Sequence, residues 1–171
     1  MYNIGICDDE HAACAQIAEM VYEYDRRNKV GIEVTVWNTG EGLYQDMQKK
    51  KAIDLLFLDI ELVSTDGIQV GRLIRRELEN QDISIAFISS KSSYALELFK
   101  IHPIDFLIKP VSAQDIYETI DEALRLYNRG NTVFEYRANG YSCKIPYREI
   151  LYFGSENKKI NMVTAESTVQ F

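Results

Sequence analysis

Two adjacent aspartates, Asp8-Asp9, followed by Glu10, close the first apolar run of the chain, Ile4 to Cys7. A third, Asp59, closes the run Ile53-Asp54-Leu55-Leu56-Phe57-Leu58, and Lys109, with Pro110 behind it, closes Ile104 to Ile108. Carboxylates gathered in one place repel one another unless a cation sits among them. A hard divalent ion such as Mg2+ suits such a cluster, because it takes oxygen ligands in near-octahedral geometry and keeps several waters. A lysine ammonium nearby adds positive charge for a developing anion. These residue types predict a Mg2+ site beside a carboxylate that can accept a phosphoryl group, provided that the fold brings them together.

The apolar pattern supplies such a fold. Strand-like runs occur at about 2–7, 32–37, 53–58, 83–88 and 104–108, separated by stretches with helical periodicity. Ala13, Ile17, Met20, Val21 and Tyr24 form one helical face; Asp66-Gly67 opens a segment carrying Ile68, Leu73, Ile74 and Leu78. Ser112 precedes Asp115 by three residues, a capping-box start for a helix carrying Ile116, Ile120, Ala123, Leu124 and Tyr127. Five strands alternating with five helices predict a doubly wound α/β domain with a five-stranded parallel sheet, since each parallel crossover needs a helix. Ligands bind outside the carboxyl ends of strands in such sheets, where Asp8, Asp9, Asp59 and Lys109 stand.

Composition narrows the function classes. With 46% hydrophobic and 26% charged residues the chain is globular, and no apolar stretch reaches the roughly 20 residues of a membrane helix. A soluble, cytoplasmic protein is expected, without membrane partners. Residues 1–130 hold 14 Lys/Arg against 22 Asp/Glu, and 131–171 hold 5 against 4. The first part is therefore a poor nucleic-acid binder, since that affinity comes from neutralising phosphates. Cys7, Cys14 and Cys143 are irregularly spaced and read as reduced packing residues; His11 and His102, without a paired ligand spacing, read as surface or loop residues.

The pattern changes at Asn128-Arg129-Gly130-Asn131. Beyond it come short β-like pieces at 133–136, 141–145, 150–153, 160–163 and 168–171, punctuated by Asn139-Gly140, Pro146 and Gly154. Two domains are expected, 1–129 and 130–171. The second reads as the opening of a domain, with too few residues to cover both faces and both edges of a sheet, so its strands are expected to seek a partner such as a second copy.

The ordered motifs Ile6-Cys7-Asp8-Asp9-Glu10, Leu58-Asp59, Asp66-Gly67, Ile88-Ser89 and Phe106-Leu107-Ile108-Lys109-Pro110 resemble the receiver domain of two-component response regulators over residues 1–129. Phe99-Lys100-Ile101-His102-Pro103-Ile104-Asp105-Phe106 is similar to the version in LytTR-type (LytR/AgrA) regulators, and Ile145-Pro146-Tyr147-Arg148-Glu149-Ile150-Leu151-Tyr152-Phe153 to the start of their DNA-binding domain, here truncated. The resemblance implies a flavodoxin-like receiver with Asp59 as phosphoacceptor. It implies Mg2+ held by Asp9, Asp59 and the Glu61 backbone carbonyl, with Asp8 acting through water. It makes Lys109 and Ser89 ligands of the phosphoryl group, Phe106 the switch aromatic, and Pro110 the partner in a cis bond that aims Lys109 inward. Glu61 and Lys91 become tuning positions. The implied partners are a sensor histidine kinase, a second copy of the chain and, for a full-length protein, DNA. Lys158 and Lys159 fall on a loop that contributes DNA contacts in that family, so this chain alone is expected to bind DNA weakly or not at all.

One departure is local: Ile60-Glu61-Leu62-Val63-Ser64-Thr65-Asp66-Gly67 has Leu-Val where the family usually has Met-Pro, so a proline's fixed backbone angle is missing from the loop. Two alternatives stand beside the non-enzymatic regulator. One is a phosphotransferase or phosphatase with Asp59 as nucleophile, disfavoured because no carboxylate other than Glu61 is near in sequence to serve as general acid. The other is a phosphorylation-independent interaction module, disfavoured by retention of all three aspartates and Lys109.

Overall fold

The structure, a computed structural model, describes residues 1–130, 132–138, 140–156 and 159–170. It divides into two compact units, Met1–Ala123 and Leu124–Phe171.

The first unit is built on β1 (Tyr2–Cys7), β2 (Ile32–Trp37), β3 (Leu55–Asp59), β4 (Ser84–Ser89) and β5 (Asp105–Ile108), all parallel, in the order β2-β1-β3-β4-β5. The central strands are buried on both faces, which is why they read as unbroken apolar runs. Ile4, Ile6, Leu55, Leu56, Phe57, Leu58, Ile85, Phe87 and Ile88 are all fully buried. Each such side chain stabilises the fold by roughly 1.5–3 kcal/mol through burial. The chain steps from β1 to β2 on one side and then to β3 on the other, so the order reverses between β1 and β3 and opens a crevice at their carboxyl ends.

Crossovers are made by α1 (His11–Asn28), α2 (Gly40–Gln48), α3 (Gly67–Arg76) and a short α4 (Ala95–Leu98) between two single 3-10 turns; α5 (Ala113–Gly130) follows β5. Five helices are present as expected, but the fourth has one turn of α-helix. The expected capping box holds α5: Ser112 N and Oγ donate to Asp115 Oδ2 at 3.0 and 2.7 Å, and Asp115 N donates back to Ser112 Oγ at 3.2 Å. Asp66 caps α3 by accepting from Ile68 N at 2.8 Å. On α1 the buried face is Cys14, Ile17, Val21 and Tyr24, whereas Ala13 and Met20 are half-buried. No helix among the described residues is long and apolar enough to cross a membrane.

Beyond the end of α5 the second unit is β-structure with one 3-10 turn, Tyr147–Glu149. An antiparallel hairpin joins β6 (Val133–Ala138) to β7 (Tyr141–Pro146), turning through Gly140 at φ 82°. A separate antiparallel sheet has the order β10-β9-β8, from β8 (Ile150–Glu156), β9 (Lys159–Thr164) and β10 (Thr168–Gln170). Phe134 of the hairpin meets Phe153 of the sheet edge-to-face, ring centres 5.0 Å apart, and Tyr147 at 5.9 Å. Tyr141, Leu151, Tyr152 and Ile160 remain exposed.

Candidate functional site

The residues that close three strands converge. Asp8 and Asp9 leave β1, Asp59 ends β3, and Lys109 follows β5; one carboxylate oxygen from each aspartate lies within 4.8 Å of the others. Asp8 and Asp59 are buried and Asp9 is half-buried. Asp8 uses both oxygens, Oδ1 accepting from Glu10 N at 2.8 Å and Oδ2 from Lys109 Nζ at 2.9 Å. Lys109 Nζ also stands 3.2 Å from Asp59 Oδ1. Asp59 Oδ1 is buried and, among the described residues, has this ion pair with Lys109 and no other partner. Lys109 is the counter-ion of the cluster, with 28% of its side chain exposed. The peptide bond to Pro110 is cis, as expected.

Electrostatics follow the geometry. Burial, then the neighbouring Asp8 carboxylate, push the Asp59 carboxyl above its ordinary range, against the pull of Lys109 and the Glu61 backbone N–H. Burial works to lower the Lys109 ammonium, but its bond to Asp8 and the two carboxylate charges outweigh it and hold the group above its usual value. Cys7, buried behind the aspartates, has its thiol pushed up to about 12, chiefly by burial. Cys14 donates its thiol to Asp8 O at 3.2 Å, so all three cysteines are free and the inner two are packing residues. A buried carboxylate beside two further ones, with a single lysine as counter-ion, is a donor set that fits a hard cation such as Mg2+.

The other expected residues flank this core. Ser89 ends β4 fully buried; its hydroxyl accepts from Lys91 N at 3.0 Å and contacts Lys91 O at 3.4 Å, while its carbonyl accepts from Lys109 N at 2.9 Å. Phe106 is half-buried on β5, beside Phe87 in the sheet register and packed against the main core cluster. Glu61 and Lys91 form an ion pair, and Ser90 donates to the same carboxylate through its hydroxyl and, at 3.3 Å, its N–H. These donors bring the Glu61 carboxyl down to about 2, the Lys91 bond being the larger cause. His11 and His102 are exposed and away from the cluster. In the second unit Lys159 donates to Gln170 at 3.1 Å; Lys158 lies outside the described residues.

Sequence reasoning missed two contacts. Glu61 and Lys91 were singled out separately, not as a pair. Glu41, in the first turn of α2, accepts hydroxyl bonds from Ser64 at 2.8 Å and from Thr65.

Comparison with known proteins agrees with this geometry. Residues 4–121 match the response regulator receiver domain family. The chain is 32% identical over 114 residues to the sensory transduction protein LytT of Oceanobacillus iheyensis, covering 66% of this chain and 44% of that protein. It is 24% identical over 175 residues to LytT of Bacillus subtilis, 96% of this chain and 69% of the relative. It is 25% identical over 173 residues to the accessory gene regulator protein A of Staphylococcus aureus, 94% and 71% respectively. The chain thus spans between 44% and 71% of the length of these relatives. Among solved structures, the response regulatory domain of mrkE from Klebsiella pneumoniae superposes with TM-score 0.65 at 20% identity, covering 74% of this chain and 98% of that one. A receiver domain from Clostridium thermocellum gives 0.63 at 21%, covering 75% and 98%. Both likenesses speak to the fold. The chain belongs to the response regulator receiver family and resembles regulators of the LytT and accessory gene regulator A type.

Proposed function

We propose that the chain is a phosphorylation-dependent response regulator that takes a phosphoryl group onto Asp59 from a sensor histidine kinase. The observation that carries this reading is the buried Asp59 carboxylate inside an acidic cluster whose counter-ion is Lys109, 3.2 Å from Asp59 Oδ1. An Asp59 oxygen attacks phosphorus, a new P–O bond forms, and the bond to the leaving group breaks. Lys109 moves from its carboxylates to the incoming phosphoryl oxygens. Asp9, Asp59 and the Glu61 carbonyl would hold Mg2+, with Asp8 assisting through water because both its oxygens are already engaged. When bound, Mg2+ screens the carboxylates from the phosphoryl oxygens and offsets their developing charge.

Once Asp59 is modified, up to about two negative charges draw in the Ser89 hydroxyl and Lys109. To donate there, the Ser89 hydroxyl gives up its long contact to Lys91 O, and it can still accept from Lys91 N. Through Phe106 on β5 this biases the face of α4, β5 and α5 toward contact with a second copy. The receiver is taken to span 1–129 and the remainder to begin a LytTR DNA-binding domain, whose promoter contacts belong to the full-length protein. Lys158 and Lys159 give this chain at most weak, salt-sensitive DNA affinity.

Acetyl phosphate with Mg2+ is expected to add one phosphoryl mass to the chain, none to Asp59→Asn, and to require more Mg2+ in Asp9→Ala. Unchanged labelling of Asp59→Asn by intact-mass analysis would refute the assignment.

A further inference from the structure

The segment between Asp59 and α3, residues 60–66, must hold a defined path, because it carries the backbone of Glu61 beside the acceptor carboxylate. It is pinned at both ends. Ile60 N donates to Ile88 O at 2.9 Å, Gly67 N donates to Ile60 O at 3.0 Å, and Leu62 is buried in the core. Between these anchors Val63 is 88% exposed, and no proline fixes the backbone. The hydroxyls of Ser64 and Thr65 both turn to the Glu41 carboxylate, Ser64 at 2.8 Å and Thr65 closer still.

Glu41 is itself well based. Thr39 caps α2 by accepting from Gly42 N at 3.1 Å. The neighbouring Gly40 lies so close that a Cβ there would stand 2.8 Å from Val70 Cγ2, 3.3 Å from Leu62 Cδ1 and 3.5 Å from Thr65 Cβ. The start of α2 is thus packed against the loop and against α3, and a carboxylate one residue on is held in place without a long tether. Hydrogen bonds to an ionised acceptor are shorter and stronger than neutral ones, and two on one carboxylate fix direction as well as distance. Ser64 and Thr65 draw the Glu41 carboxyl below its ordinary value, Thr65 more than Ser64, so the acceptor stays ionised at neutral pH.

We propose that Glu41 is a positioning residue for the acceptor loop: it clamps Ser64 and Thr65 and so fixes the chain between Asp59 and α3 where a proline is lacking. Its value for phosphoryl transfer rests on the function proposed above; the clamp itself does not. Because Glu41 and Ser64 are exposed and Thr65 is only half-buried, the clamp adds little to global stability, which separates its role from that of a core residue.

Four variants of the 1–171 chain test this: Glu41→Ala, Glu41→Gln, Thr65→Val and the double Glu41→Ala/Thr65→Val. Glu41→Ala is expected to speed amide exchange in residues 60–66 about ten-fold while β3 keeps its protection. It should slow labelling of Asp59 by acetyl phosphate by about ten-fold and raise the Mg2+ needed for half-maximal rate, since small misplacements at a reacting centre are costly. Its melting temperature should move by no more than about 2 °C. Glu41→Gln, which keeps an acceptor oxygen, should recover most of the rate. The double variant should be no slower than Glu41→Ala, because both changes break one contact. Unchanged exchange in residues 60–66 of Glu41→Ala overturns the clamp, as does full additivity in the double variant. If the parent chain takes no label on Asp59, the functional reading fails instead, and the exchange measurement still decides the clamp.

Discussion

Gly67 opens α3 directly against the backbone of the acceptor residue. A Cβ there would stand 2.0 Å from Asp59 O, and 3.0 Å from both Asp59 C and Ile60 Cα. A carbon and a carbonyl oxygen rest roughly 3.3 Å apart in close contact, so Gly67→Ala demands a displacement of more than about 1 Å. The opposing atom is main chain, tied into β3, and cannot rotate away as a side-chain tip would. Gly67 is not among the positive-φ residues, so the glycine is required for space rather than for backbone freedom. Overpacking costs about 1–3 kcal/mol, and a backbone partner puts this substitution near the top, about 3 kcal/mol. At about 2–4 °C per kcal/mol for a chain of this size, the melting temperature should fall by about 6–12 °C. Thermal unfolding by circular dichroism measures this, and acetyl phosphate labelling should drop in parallel because Asp59 itself is pushed. Gly31→Ala is the control: a Cβ there meets nothing within 4 Å, but φ is +81°. It should cost only about 1–2 kcal/mol in backbone strain and leave labelling intact. A Gly67→Ala protein that melts within 2 °C of the parent and labels normally would refute the argument that this contact fixes the acceptor.

Lys109→Met should lose about 2 kcal/mol of stability without Mg2+, since it strands two buried carboxylates, and added Mg2+ should restore part of it; equal losses with and without the ion would remove Lys109 as counter-ion. Ser112→Ala should cost about 1 kcal/mol at pH 7. Ser112 holds the Asp115 carboxyl below its ordinary range, so this stabilisation is present above the usual carboxylate value and lost as pH falls through the depressed one. Denaturant titrations at pH 7 and pH 2.5 check the difference, which should shrink in acid. A thiol reagent at pH 8 should label Cys143 well before Cys7, whose thiol stays protonated to about 12; rapid labelling of Cys7 in the folded protein would contradict its burial. The exposed edges of the second unit should make unphosphorylated 1–171 associate where a 1–129 truncation does not; light scattering showing two monomers would dismiss edge pairing.

The parallel sheet was legible because its strands are buried on both faces and announce themselves as apolar runs. Strand starts were less so. Ile53 and Ile83 read as strand, yet β3 begins at Leu55 and β4 at Ser84. Asp54 instead accepts from Asn3 N and Nδ2, a pairing that periodicity does not encode. The α1 stripe differs at two positions: Cys14 is buried where Ala13 was expected to be, and Met20 is only half-buried. Ala13 and Met20 instead line a groove with Gln16, Lys109 and Pro110. The acidic cluster could be anticipated because strand ends converge by topology. The Glu61–Lys91 and Glu41–Thr65 contacts, spanning 30 and 24 residues, depend on loop paths that no local pattern specifies.

The strand order also sets a timetable. β1 and β3, which deliver the three aspartates, lie inside the sheet, whereas β5, which delivers Lys109, is its outermost and last strand. A ribosome adding about 5–20 residues per second needs about 3–10 s to pass from Asp59 to Lys109. Throughout that interval the nascent chain holds its carboxylates without their internal cation. The strand that completes the sheet is thus also the one that brings the pocket its counter-ion.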